Sequence, residues 1–122
     1  MPRPIKWRNV CSLPKISTFG PIDLRIGDNN TVNLTIDEYE SIRLIDFEGF
    51  NQERCAKQMK VARTTVQGIY NNARKKIAKA IIEGKLLFID GGEYRICDGI
   101  HESCDLYCEK REDKLLIEEE SI

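Results

Sequence analysis

The stretch between residues 63 and 76 is rich in guanidinium, amide, hydroxyl and ammonium groups, at spacings that one helix can use. The guanidinium of Arg63 matches the two acceptors of guanine, and the amide of Gln67 matches the acceptor and donor of adenine. The residues expected at or near a major groove are Arg63, Thr64, Thr65, Gln67 and Gly68. Those suited to phosphates are Asn71, Arg74, Lys75 and Lys76. We therefore predict a surface that reads double-stranded DNA.

A second group of residues has metal-binding chemistry. Cys97, His101, Cys104 and Cys108 lie close together in the sequence, and Cys11 is distant from them. Thiolates and imidazole are ligands for Zn²⁺ or an iron–sulfur cluster. The spacing is looser than two C-x2-C pairs, so unligated thiols, or a redox pair of Cys104 with Cys108, remain open alternatives. The group supports an alternative function as a metal- or redox-responsive sensor or a metal-cofactor accessory protein.

The DNA-contacting residues need two crossed helices to position them. Asn51 is suited to cap a helix that ends near Met59, and a longer helix should run from Arg63 to about Glu83. The small side chain of Ala56 lets two helix backbones approach closely. This layout is typical of a DNA-binding helix-turn-helix. The alternative is a generic helical hairpin whose second helix is amphipathic.

Three positions depart from the usual pattern of this motif. The turn position that glycine often occupies is Lys60, and a left-handed backbone there has a steric cost. Ala62 stands where a hydroxyl residue often caps the reading helix, so we expect that cap to be missing. Gly68 lies inside the helix, where it costs about 1 kcal/mol relative to alanine. Gly68 is also compatible with close backbone approach to a partner.

The elements around these two helices divide the chain into four predicted parts. Residues 1–34 form a basic arm with short extended pieces at 23–26 and 31–34, and residues 35–84 form the helical domain. Its first helix begins with a capping box of Thr35 and Glu38 and ends at Gly49. Two β-prone runs around Gly91-Gly92 predict a β-hairpin over residues 85–97. Residues 98–122 form a cysteine-rich and then acidic tail. The predicted fold class is mainly α.

The arm begins with prolines, cations and one tryptophan. Arg3, Lys6 and Arg8 are suited to the minor groove, as in the arms of homeodomains. The alternative is that Trp7 packs and the arm folds back on the predicted hairpin.

Charge is distributed unevenly along the chain. The net charge is −1, but residues 51–86 hold nine Lys/Arg and two Glu, whereas residues 98–122 hold nine Asp/Glu and three Lys/Arg. This asymmetry favours a basic working surface and an acidic tail. The longest apolar run, Leu86 to Ile89, is far shorter than the roughly 20 residues of a membrane span. No apolar segment follows the basic N-terminus, so we expect a cytoplasmic protein with no membrane partner.

Catalytic patterns are absent from the sequence. The single histidine lies among cysteines, which leaves no nucleophile with a base and an orienting group, and there is no phosphate-binding loop. We expect a protein that is not an enzyme.

The segment LTIDEYESIRLIDFEGFNQERCAKQMKVARTTVQGIYNNARKKIAKAI resembles the helix-turn-helix of sigma-factor region four. Together with MPRPIKWRNV and GGEYRIC, it also resembles a prokaryotic family of unknown function described as candidate DNA-binding proteins. The resemblance covers about residues 1–108, and it implies DNA binding without enzymatic activity. The other sigma-factor regions are missing, which favours a stand-alone transcriptional regulator. Because one reading helix offers limited contact area, we also expect a homodimer.

Overall fold

A computed structural model describes residues 7–22 and 31–97 of the chain. Within these ranges the elements are strands β1 (Arg8–Val10), β2 (Thr18–Phe19), β3 (Thr31–Leu34), β4 (Leu86–Ile89) and β5 (Tyr94–Ile96), and helices α1 (Ile36–Ile42), α2 (Gln52–Met59) and α3 (Arg63–Glu83). A π-helical segment, Arg43–Phe47, continues α1. The described fold is therefore mixed α/β, and the predicted mainly α class understated the strands. None of the helices in these two ranges is long and apolar enough to cross a membrane.

Helix α1 begins where the capping box was predicted. Thr35 is its N-terminal cap, and the Thr35 backbone N–H donates to Glu38 Oε1 at 2.9 Å. The turn after the π-helical segment reaches Gly49, whose φ of 87° is readily adopted only by glycine. The predicted boundaries are confirmed, but the change to π geometry after Ile42 was not predicted. It brings Leu44 into the core while Arg43 bonds to carboxylates on either side of it.

Helices α2 and α3 have the predicted limits. The Asn51 side chain accepts a hydrogen bond of 2.8 Å from the Arg54 backbone N–H, and Gly84 ends α3 at a φ of 65°. Lys60 ends α2 in the left-handed region at a φ of 59°, so the predicted steric cost is present. The core between these helices contains Leu44, Phe50, Cys55, Ala56, Met59 and Val66. Cys55 is thus a buried core residue.

The strands form two small sheets. In one, β4 lies between β2 and β3, antiparallel to β2 and parallel to β3. In the other, β1 pairs in parallel with β5. The buried side chains under these sheets are Val10, Leu34, Ile36, Ala73 and Ile89. The second half of α3 packs on this cluster, so both sheets hold α3 in place relative to α1. The predicted extended piece at 31–34 is β3, while the one at 23–26 lies outside the described residues.

The predicted β-hairpin over residues 85–97 is wrong. Strands β4 and β5 belong to different sheets, because the chain between them is fixed by other segments. The Asp90 backbone N–H donates to Leu34 O at 3.0 Å, and Gly91 O accepts from the Ile36 backbone N–H at 2.9 Å. A Cβ on Gly92 would lie 2.6 Å from Asp37 Oδ1, so this crossing requires glycine. Gly92 therefore serves close approach to α1, and Gly91 supplies a positive φ of 79°, so neither forms a hairpin turn between β4 and β5.

Candidate nucleic-acid interface

One face of α3 is open to solvent over its first four turns. The exposed residues Thr64, Gly68, Asn71 and Lys75 are spaced by three or four positions, which aligns them along one side of a helix. Gln67, also exposed, lies on the same side, four positions before Asn71. Val66, Ile69 and Ala73 are buried on the opposite side against the rest of the fold. We call the five aligned residues the outer face of α3. The structure thus brings together five of the predicted DNA-contacting residues on a rigid, supported helix.

No carboxylate lies on α3 before Glu83, its last residue. The first twenty residues of the helix therefore offer only cationic, polar and apolar side chains. This absence of negative charge, on a helix that is exposed along one side, suits an anionic partner.

The start of α3 has no side-chain cap among the described residues. Ala62 is the N-cap residue, and no side chain accepts a hydrogen bond from the first turn there. The N–H groups at Arg63, Thr64 and Thr65 have no acceptor within an α-helix, and such groups bind phosphates well. Arg63 and Thr64 are also exposed, whereas Thr65 is half-buried. The missing cap that the sequence predicted is confirmed, and it leaves a positive helix end beside the outer face.

Gly68 leaves the middle of the outer face without a side chain. A Cβ at this position would meet no atom of the described residues within 4 Å, apart from the helix itself. Internal packing therefore does not require glycine at position 68. The lack of a side chain exposes the helix backbone where a partner would lie closest.

Lys76 and Arg74 lie beside the outer face, and each is paired with a carboxylate. Lys76 Nζ is 2.6 Å from Glu38 Oε1, whose side chain is almost buried. Arg74 Nε is 3.7 Å from Asp46 Oδ2, and its guanidinium lies 5.4 Å from the centre of the Tyr70 ring. These cations already have counterions within the protein. Lys75 lies between them in the sequence and is exposed on the outer face.

Asp46 also fixes Tyr70. The Tyr70 hydroxyl donates to Asp46 Oδ1 at 2.7 Å. Burial and then this hydrogen bond raise the pKa of Tyr70. The interaction joins the end of the π-helical segment to α3 and orients the helix.

Arg8 is the predicted arm residue that the structure describes. It forms an ion pair with Glu93, and Arg8 Nε lies 3.8 Å from Asp37 Oδ2. Strand β1 therefore holds Arg8 against α1 and the segment around Gly92. The predicted free arm does not extend to Arg8. Arg3 and Lys6 lie outside the described residues, so their predicted minor-groove role stays a prediction.

An acidic cleft of about 460 Å³ borders the outer face on the side of α1. Its charged lining residues are Asp37, Glu38, Glu93 and Arg8. On α3 it is lined by Thr64 and Gly68 of the outer face, and by Thr65 and Asn72. Carboxylates repel the phosphates of a nucleic acid at short range, because both groups are negatively charged. The arrangement therefore favours an anionic partner on the part of the outer face that does not line the cleft, at Gln67, Asn71 and Lys75.

The predicted metal ligands are only partly described. Cys11 and Cys97 are fully buried and pack against each other, although 86 positions separate them in the sequence. His101, Cys104 and Cys108 lie outside the described residues. Within residues 7–22 and 31–97, no three His, Cys, Asp or Glu side chains are grouped to hold a metal ion.

A buried ion pair positions Cys11. Glu40 is fully buried, and its carboxylate accepts a hydrogen bond from the Cys11 backbone N–H at 3.0 Å. Arg43 donates to the same carboxylate at 2.8 and 3.1 Å. Burial alone would lower the pKa of Arg43, but the hydrogen bond and charge of Glu40 outweigh it and raise that pKa. Gln58 Nε2 lies 3.5 Å from Cys11 Sγ, so α1, α2 and β1 meet at this thiol.

A family model described as "Protein of unknown function DUF134" matches residues 1–97. The chain belongs to this family. A UPF0251 protein of Desulfitobacterium hafniense (strain Y51) is 63% identical over 111 residues, which cover 91% of this chain and 89% of the relative. A UPF0251 protein of Halothermothrix orenii is 46% identical over 104 residues, covering 85% of this chain and 76% of the relative. No solved structure gives a significant match.

The descriptions of these DUF134 relatives state no activity, so a functional conclusion rests on the geometry of the site. Sequence reasoning missed two cations beside the interface, Lys57 at the end of α2 and Lys60 in the turn. Lys57 is exposed, and Lys60 is half-buried. The excess of cations over residues 51–86 was the signal that contained them. The cation excess alone does not distinguish Lys57 and Lys60 from cations that pair with carboxylates inside the fold, because those carboxylates are distant in the sequence.

Proposed function

We propose that this protein binds double-stranded DNA and regulates transcription. In this proposal α2, the turn at Lys60 and α3 act as a helix-turn-helix similar to that of sigma-factor region four. Helix α3 enters the major groove, with Arg63 and Gln67 reading base edges. The cytoplasm is the compartment where it would act, and no catalytic step is involved.

The observation that carries the proposal is the outer face of α3. It combines an uncapped helix start, an exposed amide and lysine, and a glycine that no internal contact requires. Helix α2 and the two sheets hold the opposite side, so the helix is presented in a fixed orientation. A generic helical hairpin does not require an exposed glycine or twenty residues free of carboxylates.

The orientation on DNA follows from the charges around α3. In this proposal the acidic cleft disfavours phosphates on the α1 side. The backbone of the duplex then runs past Lys75, past Lys57 in the last turn of α2 and past Lys60 in the turn. Asn71 and Lys75 then contact phosphates and fix the register, while residues of the first turn reach the bases.

The test is binding of the full chain to a labelled duplex of random sequence, with two charge-reversal variants. Lys75→Glu should weaken binding about tenfold or more, because it places a carboxylate among the phosphates. Lys85→Glu is the matched control, since Lys85 lies beyond the end of α3 and pairs with Glu83 at 3.2 Å. We expect at most about a twofold effect from the control. Equal effects of both variants, or no binding by the unmodified chain at low salt, would contradict the proposal.

A metal- or redox-responsive role is the second candidate function. The contact between Cys11 and Cys97 favours it, because it brings together two of the five predicted ligands from opposite ends of the described fold. Elemental analysis of anaerobically purified chain tests this role. About one equivalent of zinc or iron, lost in a Cys97→Ser variant that remains folded, would support it. A metal-free chain that binds DNA equally well under oxidising and reducing conditions would exclude it.

The proposal includes a homodimer, because a single helix-turn-helix supplies limited contact area on DNA. Two copies would read two half-sites, as in other dimeric proteins with this motif.

A further inference from the structure

An apolar surface covers the side of the molecule next to the outer face of α3. Three neighbouring clefts form it, and they share lining residues: the first and second share Phe19, the first and third share Ile42, and the second and third share Ile77 and Ile81. The clefts are therefore one continuous surface, which we call the apolar side. Its prominent side chains are Leu13, Ile16, Phe19, Phe47 and Ile81.

These side chains are far more exposed than a monomer requires. Phe47 is 81% exposed and Ile81 is 72% exposed, while the other three are each at least half exposed. An aromatic side chain has about 150–250 Å² of surface, so the five together present several hundred Å². Two such surfaces facing each other approach the roughly 1,200–2,000 Å² of a specific interface. Apolar patches of this size on small proteins mark interaction sites.

The charges on the apolar side are self-complementary. Asp46 and Arg74 line the same cleft next to Ile42 and Ile81, and both side chains are partly exposed. In a twofold interface, any residue i that contacts residue j of the other copy is matched by j contacting i. When the twofold axis passes between the carboxylate and the guanidinium of such a patch, each of them faces the opposite charge of the second copy.

We infer that the apolar side is a twofold interface between two copies of this chain. This inference rests on the homodimer in the proposed function, and it names the surface that forms it. Ala78, at the centre of the cleft on α3, lies eleven residues beyond Gln67, or about 16 Å along the helix. Lys75 of the outer face also lines this third cleft. Pairing through the apolar side therefore leaves Thr64, Gln67, Gly68 and Asn71 of both copies uncovered for DNA and places Lys75 next to the interface.

Sedimentation equilibrium of the full chain without DNA tests the interface. We expect twice the 14.1 kDa mass of one chain at micromolar concentration. Ile81→Glu should weaken association about 30-fold or more, as expected when a charge replaces a central apolar contact. Ile82→Glu is the matched control, since Ile82 is 82% exposed on the same helix but lines none of the three clefts. Phe47→Glu, on the π-helical segment, should also weaken association. Agreement between the two variants would show that the effect of Ile81→Glu does not come from a folding defect at position 81.

The charge pair gives a second test on the same chain. Asp46→Arg and Arg74→Asp should each weaken association of the variant with itself. An equimolar mixture of the two single variants should restore most of the association, because the two arginines of one copy then face the two aspartates of the other. A monomeric mass at 100 µM, or equal effects of Ile81→Glu and Ile82→Glu, would overturn the inference. DNA binding by a monomeric Ile81→Glu variant would leave the proposed DNA function intact, so that the two proposals fail separately.

Discussion

Lys75 and Lys76 are adjacent residues of identical chemistry, yet the structure gives them different surroundings. Lys75 is exposed on the outer face of α3. The Lys76 ammonium lies 2.6 Å from the almost buried Glu38 carboxylate and therefore already has a counterion. If DNA lies along the outer face, Lys75→Ala removes a phosphate contact and Lys76→Ala does not.

The expected magnitude comes from counterion release. Each lost phosphate contact reduces the slope of log affinity against log salt by about 0.9. When salt rises fourfold, from about 50 to about 200 mM, the affinity of Lys75→Ala for DNA should therefore fall by a factor about 3.5 times smaller than that of the unmodified chain. Lys76→Ala should leave the slope unchanged within about 0.2. It should instead lower the free energy of unfolding by about 1 kcal/mol, a value between those of exposed and buried ion pairs, because Glu38 loses its cation.

Fluorescence anisotropy of a labelled duplex, titrated at several salt concentrations, gives the slopes. Urea unfolding of the same two variants gives the stabilities. The reasoning is refuted if Lys76→Ala reduces the slope as much as Lys75→Ala does, or if Lys75→Ala leaves it unchanged. Either result would mean that the partner of α3 lies elsewhere or is not a polyanion.

Other residues of the helix pair give further predictions. Arg63→Ala or Gln67→Ala should broaden the sequences bound, measured as the affinity ratio of a preferred to a scrambled duplex, and an unchanged ratio would remove them from base reading. Lys60→Gly should raise the free energy of unfolding by about 0.5–1 kcal/mol, because the left-handed turn strains lysine. Lys57→Gly, inside α2, should lower the free energy of unfolding by about 1 kcal/mol. Thermal melting of Lys60→Gly and Lys57→Gly compares the two effects. Burial raises the pKa of Cys55 to about 12, so its thiol should resist iodoacetamide at pH 8 until the protein unfolds; rapid native labelling at this position, located by mass spectrometry, would contradict the burial. The same shift predicts that stability is full below about pH 9 and falls between about pH 9 and about pH 12, and that a Cys55→Ala variant lacks this part of the decline.

Local chemistry made the helix boundaries predictable. Thr35, Asn51, Gly49 and Gly84 each act on the backbone within a few residues, so their type and spacing indicate where a helix starts or ends. The burial of Cys55 and the exposure of Gln67 follow from the periodicity of the helices that contain them. These are the parts of the candidate site that the sequence positions by itself.

The features that escaped prediction depend on distant partners. Gly91 and Gly92 resemble a hairpin turn locally, but contacts with Leu34 and Asp37 send β5 to a different sheet. Lys76 and Arg8 resemble free cations in sequence, and only the fold brings carboxylates 38 and 85 positions away to meet them. A periodicity argument contains no information on such pairs.

The most direct test of DNA reading is selection by the full chain from a pool of random-sequence duplexes, followed by sequencing of the bound fraction. The account predicts an enriched motif, and it predicts that enrichment at one or more base pairs disappears when the selection is repeated with Gln67→Ala. The Lys75→Ala variant should recover the same motif with weaker binding. A pool that stays random with the unmodified chain, under salt conditions low enough for any polyanion to bind, would contradict the account.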